Sequence, residues 1–316
     1  MVLTSSDGGT GTADPAVTER LASLPCIVIA VDRSADEVPL LADVTAEAGV
    51  ASVDDIVAVV ERNPVAATSL VLCLRQAPSS LGRALVAESA AYSVLQSGAE
   101  FTAWRAAHPA RPRRRDEGPA VQMERAGTRL DLVLNRPHVR NALDRVLRDG
   151  LLEGLTLAAA DASVTDVVLR GEGPSFCSGG DLDEFGSFTD PAAAHLVRLT
   201  ASIGRAIAAL GPRLVTHVHG PCAGSGVELA AFAARVVARA DFTAALPEVS
   251  LGLIPGAGGT ASVTRRIGRH RMALLALCGT SIDAATALRW GLVDAVTDDF
   301  DQVGAAVGQI TPSTRP

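Results

Sequence analysis

Two glycine-rich stretches hold the residues best suited to chemistry, FCSGGDL (176–182) and GPCAGSGVEL (220–229), each following an apolar run of strand type. Glycine at such a point lets backbone N–H groups approach a ligand oxygen with no Cβ in the way. The second stretch runs into a helical pattern, whose leading N–H groups and positive dipole end favour a developing anion. Two converging N–H donors, one from each turn, would form an oxyanion hole. Two carboxylates lie close by in sequence: Glu228 in the first turn of that helix, and Glu248 in LPEVSLG, 20 residues later. A pair of carboxylic acids in an apolar pocket can split its pKa values, one ionised and one protonated near neutral pH. Taken singly, Glu228 also suits a surface position that stabilises the helix dipole, and Glu248 could merely open a turn after Pro247.

Other chemistries fit less well. Ser178 or Ser225 with His217 or His219 would suggest a serine nucleophile, but neither serine sits in G-x-S-x-G. Gly256, Gly258 and Gly259 do not complete a G-x-G-x-x-G fed directly by a strand, which argues against a dinucleotide loop. All 28 basic residues are Arg, so a lysine Schiff base is excluded. The five cysteines are scattered with no C-x-x-C pair, which predicts neither a zinc site nor a disulfide framework.

The elements that position these residues fall into two regions. Residues 1–15 read as a disordered tail rich in Gly, Ser, Thr and Asp. Residues 16–107 read as a small β-α-β-α unit, with strands at 26–31 and 69–74 and helices at 52–62 and 81–107. A linker of three prolines and an arginine cluster (Arg111, Arg113, Arg114, Arg115) spans 108–119; it reads as a solvated connection rather than a phosphate clamp. From 120 to 316 strands (130–134, 167–169, 214–218) alternate with helices (142–160, 192–210 and one from about 225), predicting an α/β domain with parallel strands. With 48% hydrophobic residues and 3% aromatics, a sizeable core must be built from Ala, Val, Leu and Ile. A net charge of −7 argues against a nucleic-acid partner. The first residues lack a secretory pattern, and no run of about 18 apolar residues predicts a membrane span, so a cytoplasmic location is expected.

Between 134 and 296 the pieces LNRPHVRNAL, VVLRGEGPSFCSGGDL, VHGPCAGSGVELA, LPEVSLGLIPGAGGT and ALRWGLVDAV stand in unbroken order. In them the chain resembles the crotonase, or enoyl-CoA hydratase/isomerase, superfamily. The resemblance implies an α/β, crotonase-like (β-β-α superhelix) domain preceded by the small N-terminal α/β unit. It implies an acyl-CoA substrate, with no metal and no cofactor beyond the CoA thioester itself, and a homotrimer or hexamer. By this similarity the backbone N–H groups of Ser178 and Ser225 form the oxyanion hole, while Glu228 and Glu248 hold a water and serve as acid and base. Gly179, Asp181, Gly224 and Gly256 would surround the substrate, Asp181 by bracing its turn; Arg136 and Arg140, which flank Pro137, would approach the CoA phosphates or else face solvent. Keeping both glutamates favours hydration of an enoyl-CoA over isomerase, decarboxylase or oxygenase chemistry within the same fold. A non-catalytic acyl-CoA-binding or scaffold protein is the alternative from another class.

The sequence departs from the family pattern in several places. Ala233 and Ala234 replace a common Cys-Asp pair, and Ala244 and Ala245 a common Phe-Gly. Residues 1–119 form an extension, and the sequence runs only 20 residues past the last matching piece, where the family carries further helices. The segment 81–107, with Tyr92, Phe101 and Trp104, is expected to cover the surface those helices would occupy.

Overall fold

The computed structural model describes residues 2–5, 19–20, 22–31, 42–76, 80–111 and 118–300. Near the N-terminus, β1 (Val2–Ser5), β2 (Ile27–Ala30) and β3 (Val44–Thr45) pair in parallel. The expected disordered tail therefore begins with a strand, and the rest of it, residues 6–15, lies outside the described residues. Four helices follow: α1 (Val53–Arg62), α2 (Pro64–Arg75), α3 (Leu81–Gln96) and α4 (Ala99–Ala107). Ser52 and Asp55 form a reciprocal capping box that starts α1.

Two expectations for this region fail. The strand expected at 69–74 is the second half of α2: Pro64 opens the helix, and Ala66, Ala67, Leu70, Val71 and Leu74 bury one face at helical spacing. The single helix expected over 81–107 breaks at Ser97–Gly98, where the Gly98 N–H turns back to Leu95 O (2.8 Å).

The main sheet starts with an antiparallel hairpin, β4 (Val121–Ala126) and β5 (Arg129–Leu134). Helix α5 (Arg145–Ala160) packs on that hairpin and is capped by Asp144, whose carboxylate accepts the Leu147 N–H (2.8 Å). After β6 (Asp166–Gly171) comes α6 (Pro191–Thr200), then a break, then α7 (Ile203–Leu210), so the helix expected over 192–210 is two helices. The Ser202 hydroxyl caps α7 by accepting from the Arg205 N–H (3.2 Å).

The site elements follow in quick succession: β7 (Leu214–Val218), β8 (Pro221–Ala223), α8 (Ser225–Ala230), β9 (Arg235–Ala238) and β10 (Thr243–Ala245). A 3-10 turn, Glu248–Leu251, leads to α9 (Gly259–Cys278), which is interrupted at Gly268. Strand β11 (Ile282–Asp283), helix α10 (Ala284–Trp290) and strand β12 (Ala295–Val296) follow. The six-stranded order is β12-β9-β7-β6-β5-β4, parallel except for the hairpin, and a small second sheet has the order β11-β10-β8.

One buried apolar cluster runs from Ile27 to Val293 and includes Leu85, Tyr92 and Phe101 of the N-terminal helices. Those helices dock closely. A Cβ on Gly252 would lie 2.6 Å from the Phe101 backbone nitrogen, and Arg105 donates to Leu182 O (2.7 Å). Of the arginine-rich 108–119 segment, Arg111 pairs with Asp183 at 3.3 Å on an exposed surface, while Arg113, Arg114 and Arg115 lie outside the described residues.

Candidate active site

The two glycine-rich turns meet at the ends of β6 and β7. Gly179 has φ +104, and a Cβ there would sit 2.9 Å from Ala223 O, so only glycine allows this close approach. Asn141, fully buried, knits the first turn to the segment before α5. Its side chain donates to the carbonyls of Glu172 (2.9 Å), Ser175 (3.0 Å) and Phe176 (3.1 Å), and accepts the Arg136 N–H (2.8 Å). Asp181 braces the same turn by accepting the Asp183 N–H (2.8 Å).

The amides do not distribute as the motif suggested. Ser178 N–H donates to Arg140 O (2.9 Å), because Arg140 adopts the left-handed conformation (φ 52) and turns its carbonyl toward it. Its neighbour Gly180 makes a bridge with Leu143 in which Leu143 N–H donates to Gly179 O and Asp181 N–H to Leu143 O. That pattern leaves the Gly180 N–H without an acceptor among the described residues. On the first turn, then, the amides without an acceptor among the described residues are those of Gly179 and Gly180, and not that of Ser178; Gly180 is the one set against the Leu143 bridge. On the second turn the Ser225 N–H, at the start of α8, likewise has no acceptor among the described residues.

Glu228 and Glu248 come together beside these turns, both buried at 2% and 7% exposure. Glu228 Oε2 accepts the N–H groups of Ala257 (2.7 Å) and Gly259 (2.8 Å) from the turn that opens α9. A Cβ on Gly259 would meet its side chain at 2.7 Å. Glu248 lies against Gly224 (φ +47), where any Cβ would run into Oε1, and its Oε2 is buried with no hydrogen-bond partner. Burial lifts Glu228 to about 7, while the N–H groups of Ala257, Gly259 and Gly256 pull the other way. Burial, and then the Glu228 charge, hold Glu248 well above the ordinary carboxylate range. The pair is therefore polarised: Glu228 has donors that favour its anion, and Glu248 has an oxygen free to carry a proton.

A third carboxylate enters from the N-terminal region. Glu88 of α3 is 1% exposed and accepts from Gly258 N–H (2.6 Å), Thr260 N–H (2.8 Å) and the Thr260 hydroxyl (2.6 Å). Burial and the neighbouring Glu228 push it up to about 8, against three donors that favour its anion. Glu88 and Glu228 thus take alternate amides of one turn, 258 and 260 against 257 and 259. One helical turn further along α3, the Tyr92 ring lies where a Cβ on Gly256 would come within 2.5 Å. Motif reading missed Glu88, yet a signal was present. It occupies the apolar stripe Leu81, Leu85, Glu88, Tyr92, Leu95, where a charge must find buried partners.

The two arginines expected near CoA phosphates part company. Arg136 is buried and paired with Asp144, the cap of α5, so it is removed from any solvent-side phosphate. Arg140 is exposed, and it is its carbonyl that the fold engages. His219 Nε2 lies 2.9 Å from Gly173 O, away from either serine.

A pair of amides from two glycine-rich turns thus stands beside two unlike buried carboxylates. The chain belongs to the enoyl-CoA hydratase/isomerase family, whose model matches residues 126–310. It is 37% identical over 165 residues to the 2,3-dehydroadipyl-CoA hydratase of Escherichia coli K12, and 35% identical over 174 residues to an enoyl-CoA isomerase/hydratase of Mycosarcoma maydis. Each match covers 52% of this chain and 64% of the relative, so the chain spans a little under two thirds of these relatives' length. Among solved structures, an enoyl-CoA hydratase from Thermoplasma volcanium superposes with a TM-score of 0.56 at 30% identity, covering 63% of this chain and 79% of that one. The fold is accordingly the α/β crotonase-like one, with an N-terminal extension packed against it.

Proposed function

We propose that this chain adds water across the double bond of an enoyl-CoA thioester. The observation that carries the reading is the unlike environment of two adjacent buried carboxylates, Glu228 with N–H donors and Glu248 with a free oxygen. The thioester oxygen accepts from the N–H groups of Gly180 and Ser225, which stabilise the enolate-like charge of the transition state. Such a donor is worth about 3–4 kcal/mol where donors of this kind have been deleted. A water lies between the two carboxylates. Glu228, as the anion, takes a proton from it while the oxygen bonds to the β-carbon; Glu248, protonated, delivers its proton to the α-carbon. Transfer of the water-derived proton from Glu228 to Glu248 restores the starting state. Apart from the thioester itself, no metal or cofactor enters these steps. The hydratase names of the relatives support the same reaction.

The test is the loss of enoyl-thioester ultraviolet absorbance with short-chain enoyl-CoAs. Wild type should turn over, and Glu228→Gln and Glu248→Gln should each lower kcat by about 10²–10⁴ while keeping the wild-type fold. Consumption of the substrate that survives either substitution, or a product with a shifted double bond and no added water, would overturn hydration.

A further inference from the structure

A cavity of about 120 Å³ opens between α3, α6, α7 and residues 256–258, the stretch whose amides hold Glu228 and Glu88. Its walls include the apolar side chains of Leu85, Leu143, Leu199 and Ile203. Arg198 of α6 also lines it. The guanidinium is held in place rather than free to swing. Its Nε donates to the Ser89 hydroxyl (3.0 Å), and Nη2 to Ser89 O (3.3 Å) and the Ser93 hydroxyl. It stacks over the Tyr92 ring, 4.8 Å from the centroid.

What the guanidinium lacks is a directly contacting counter-charge; the Glu88 charge reaches it only across the wall. Among the described residues no carboxylate forms an ion pair with it, and Nη1 has no hydrogen-bond acceptor. Glu88 is the acidic residue in the same wall, and three donors of the α9 turn already occupy its oxygens. Arg148, also in the wall, pairs with Asp149 at 2.7 Å. Burial lowers the Arg198 pKa, while Tyr92 and the Glu88 charge pull the other way. Apolar walls with one fixed guanidinium that no carboxylate touches suit an acyl chain that ends in an anion.

We infer that the acyl group taken by this site is short and carries a distal carboxylate, received by Arg198. The inference rests on the reading above that an acyl-CoA thioester occupies the site. The size agrees: an apolar cavity of about 150 Å³ takes up benzene, so a space of this order holds roughly five or six heavy atoms. A methylene and a carboxylate fit within it. The planar fork of arginine matches a carboxylate, with Nη1 as the donor still open.

Glutaryl-CoA and pentanoyl-CoA have the same chain length and differ only in a distal carboxylate against a methyl group. Calorimetric titration of the full chain should give glutaryl-CoA a Kd about tenfold lower or better. Arg198→Gln should bring the two ligands to equal affinity, and Arg198→Lys should keep part of the preference, with thermal melts to confirm that both variants fold. The wild-type comparison decides without any variant: equal affinity for the two ligands overturns the inference. Turnover of the matching enoyl thioesters, glutaconyl-CoA and 2-pentenoyl-CoA, separates the two readings. A binding preference with neither thioester hydrated leaves the carboxylate subsite standing and removes hydration. Equal binding and equal hydration of both does the reverse.

Discussion

The two regions of the molecule contribute to the site in different ways. Residues 118–300 supply its chemical groups from recognisable motifs: two glycine-rich turns, Glu228 and Glu248. The helices between Val53 and Ala107 carry no motif, yet they deliver Glu88 and Tyr92 against the turn that holds Glu228. One region is defined by what its residues can do, the other by where its buried polar groups end. The difference teaches that the N-terminal segment is part of the site's scaffold, because a carboxylate 170 residues away in sequence supplies the acceptor for the Gly258 amide.

That comparison can be broken most strongly at Glu88. Glu88→Ala leaves the Gly258 and Thr260 amides buried without acceptors, and should lower stability by about 2–4 kcal/mol in a denaturant titration. Hydration should fall with it as Glu228 loses its fixed turn; an unchanged melt and unchanged kcat would reduce the N-terminal helices to passive cover. Gly256→Val forces a side chain into the Tyr92 ring and should cost about 1–3 kcal/mol. In a Tyr92→Ala background that cost should shrink, and a double-mutant cycle reads the coupling between the two regions directly.

The pH profile sharpens the same point. The proposed reaction needs Glu228 ionised and Glu248 protonated, so kcat/KM should be bell-shaped, with an acid limb near 7 set by Glu228. The Glu88 charge helps to hold Glu248 up. Removing it in Glu88→Gln should let Glu248 ionise more readily and move the alkaline limb to lower pH, by less than about one unit. At the far end of the scale, Arg111→Ala breaks an exposed pair with Asp183 that also links the two regions. A change in stability above about 0.5 kcal/mol would be unexpected there.

Legibility followed the same division. Strands β5, β6 and β7 of the main sheet and the start of α8 are readable because apolar runs and turn glycines announce them locally, whereas β4, β9 and β12 carry no such signal. The run SLVLCL reads as a strand because a short apolar run has no distinguishing period. Asn63–Pro64 before it, and small buried residues on one face, decide for helix. From its place in the motif Ser178 reads as an oxyanion donor, and nothing local to that motif reveals that the left-handed Arg140 claims its amide. Arg136 looked available for a phosphate until Asp144, eight residues on, became its buried partner.

By itself the sequence determined which groups exist and where they stand locally: glycines in two turns after apolar runs, and Glu228 in a first helical turn. These depend on interactions within a few residues, which spacing encodes. Only the tertiary structure decided which amides stay unpaired, which of two glutamates keeps an oxygen free, and that Glu88 belongs beside them. Hydrogen bonding and desolvation are settled by whatever packs against a group, and here Glu88 and the turn it holds stand 170 residues apart in sequence.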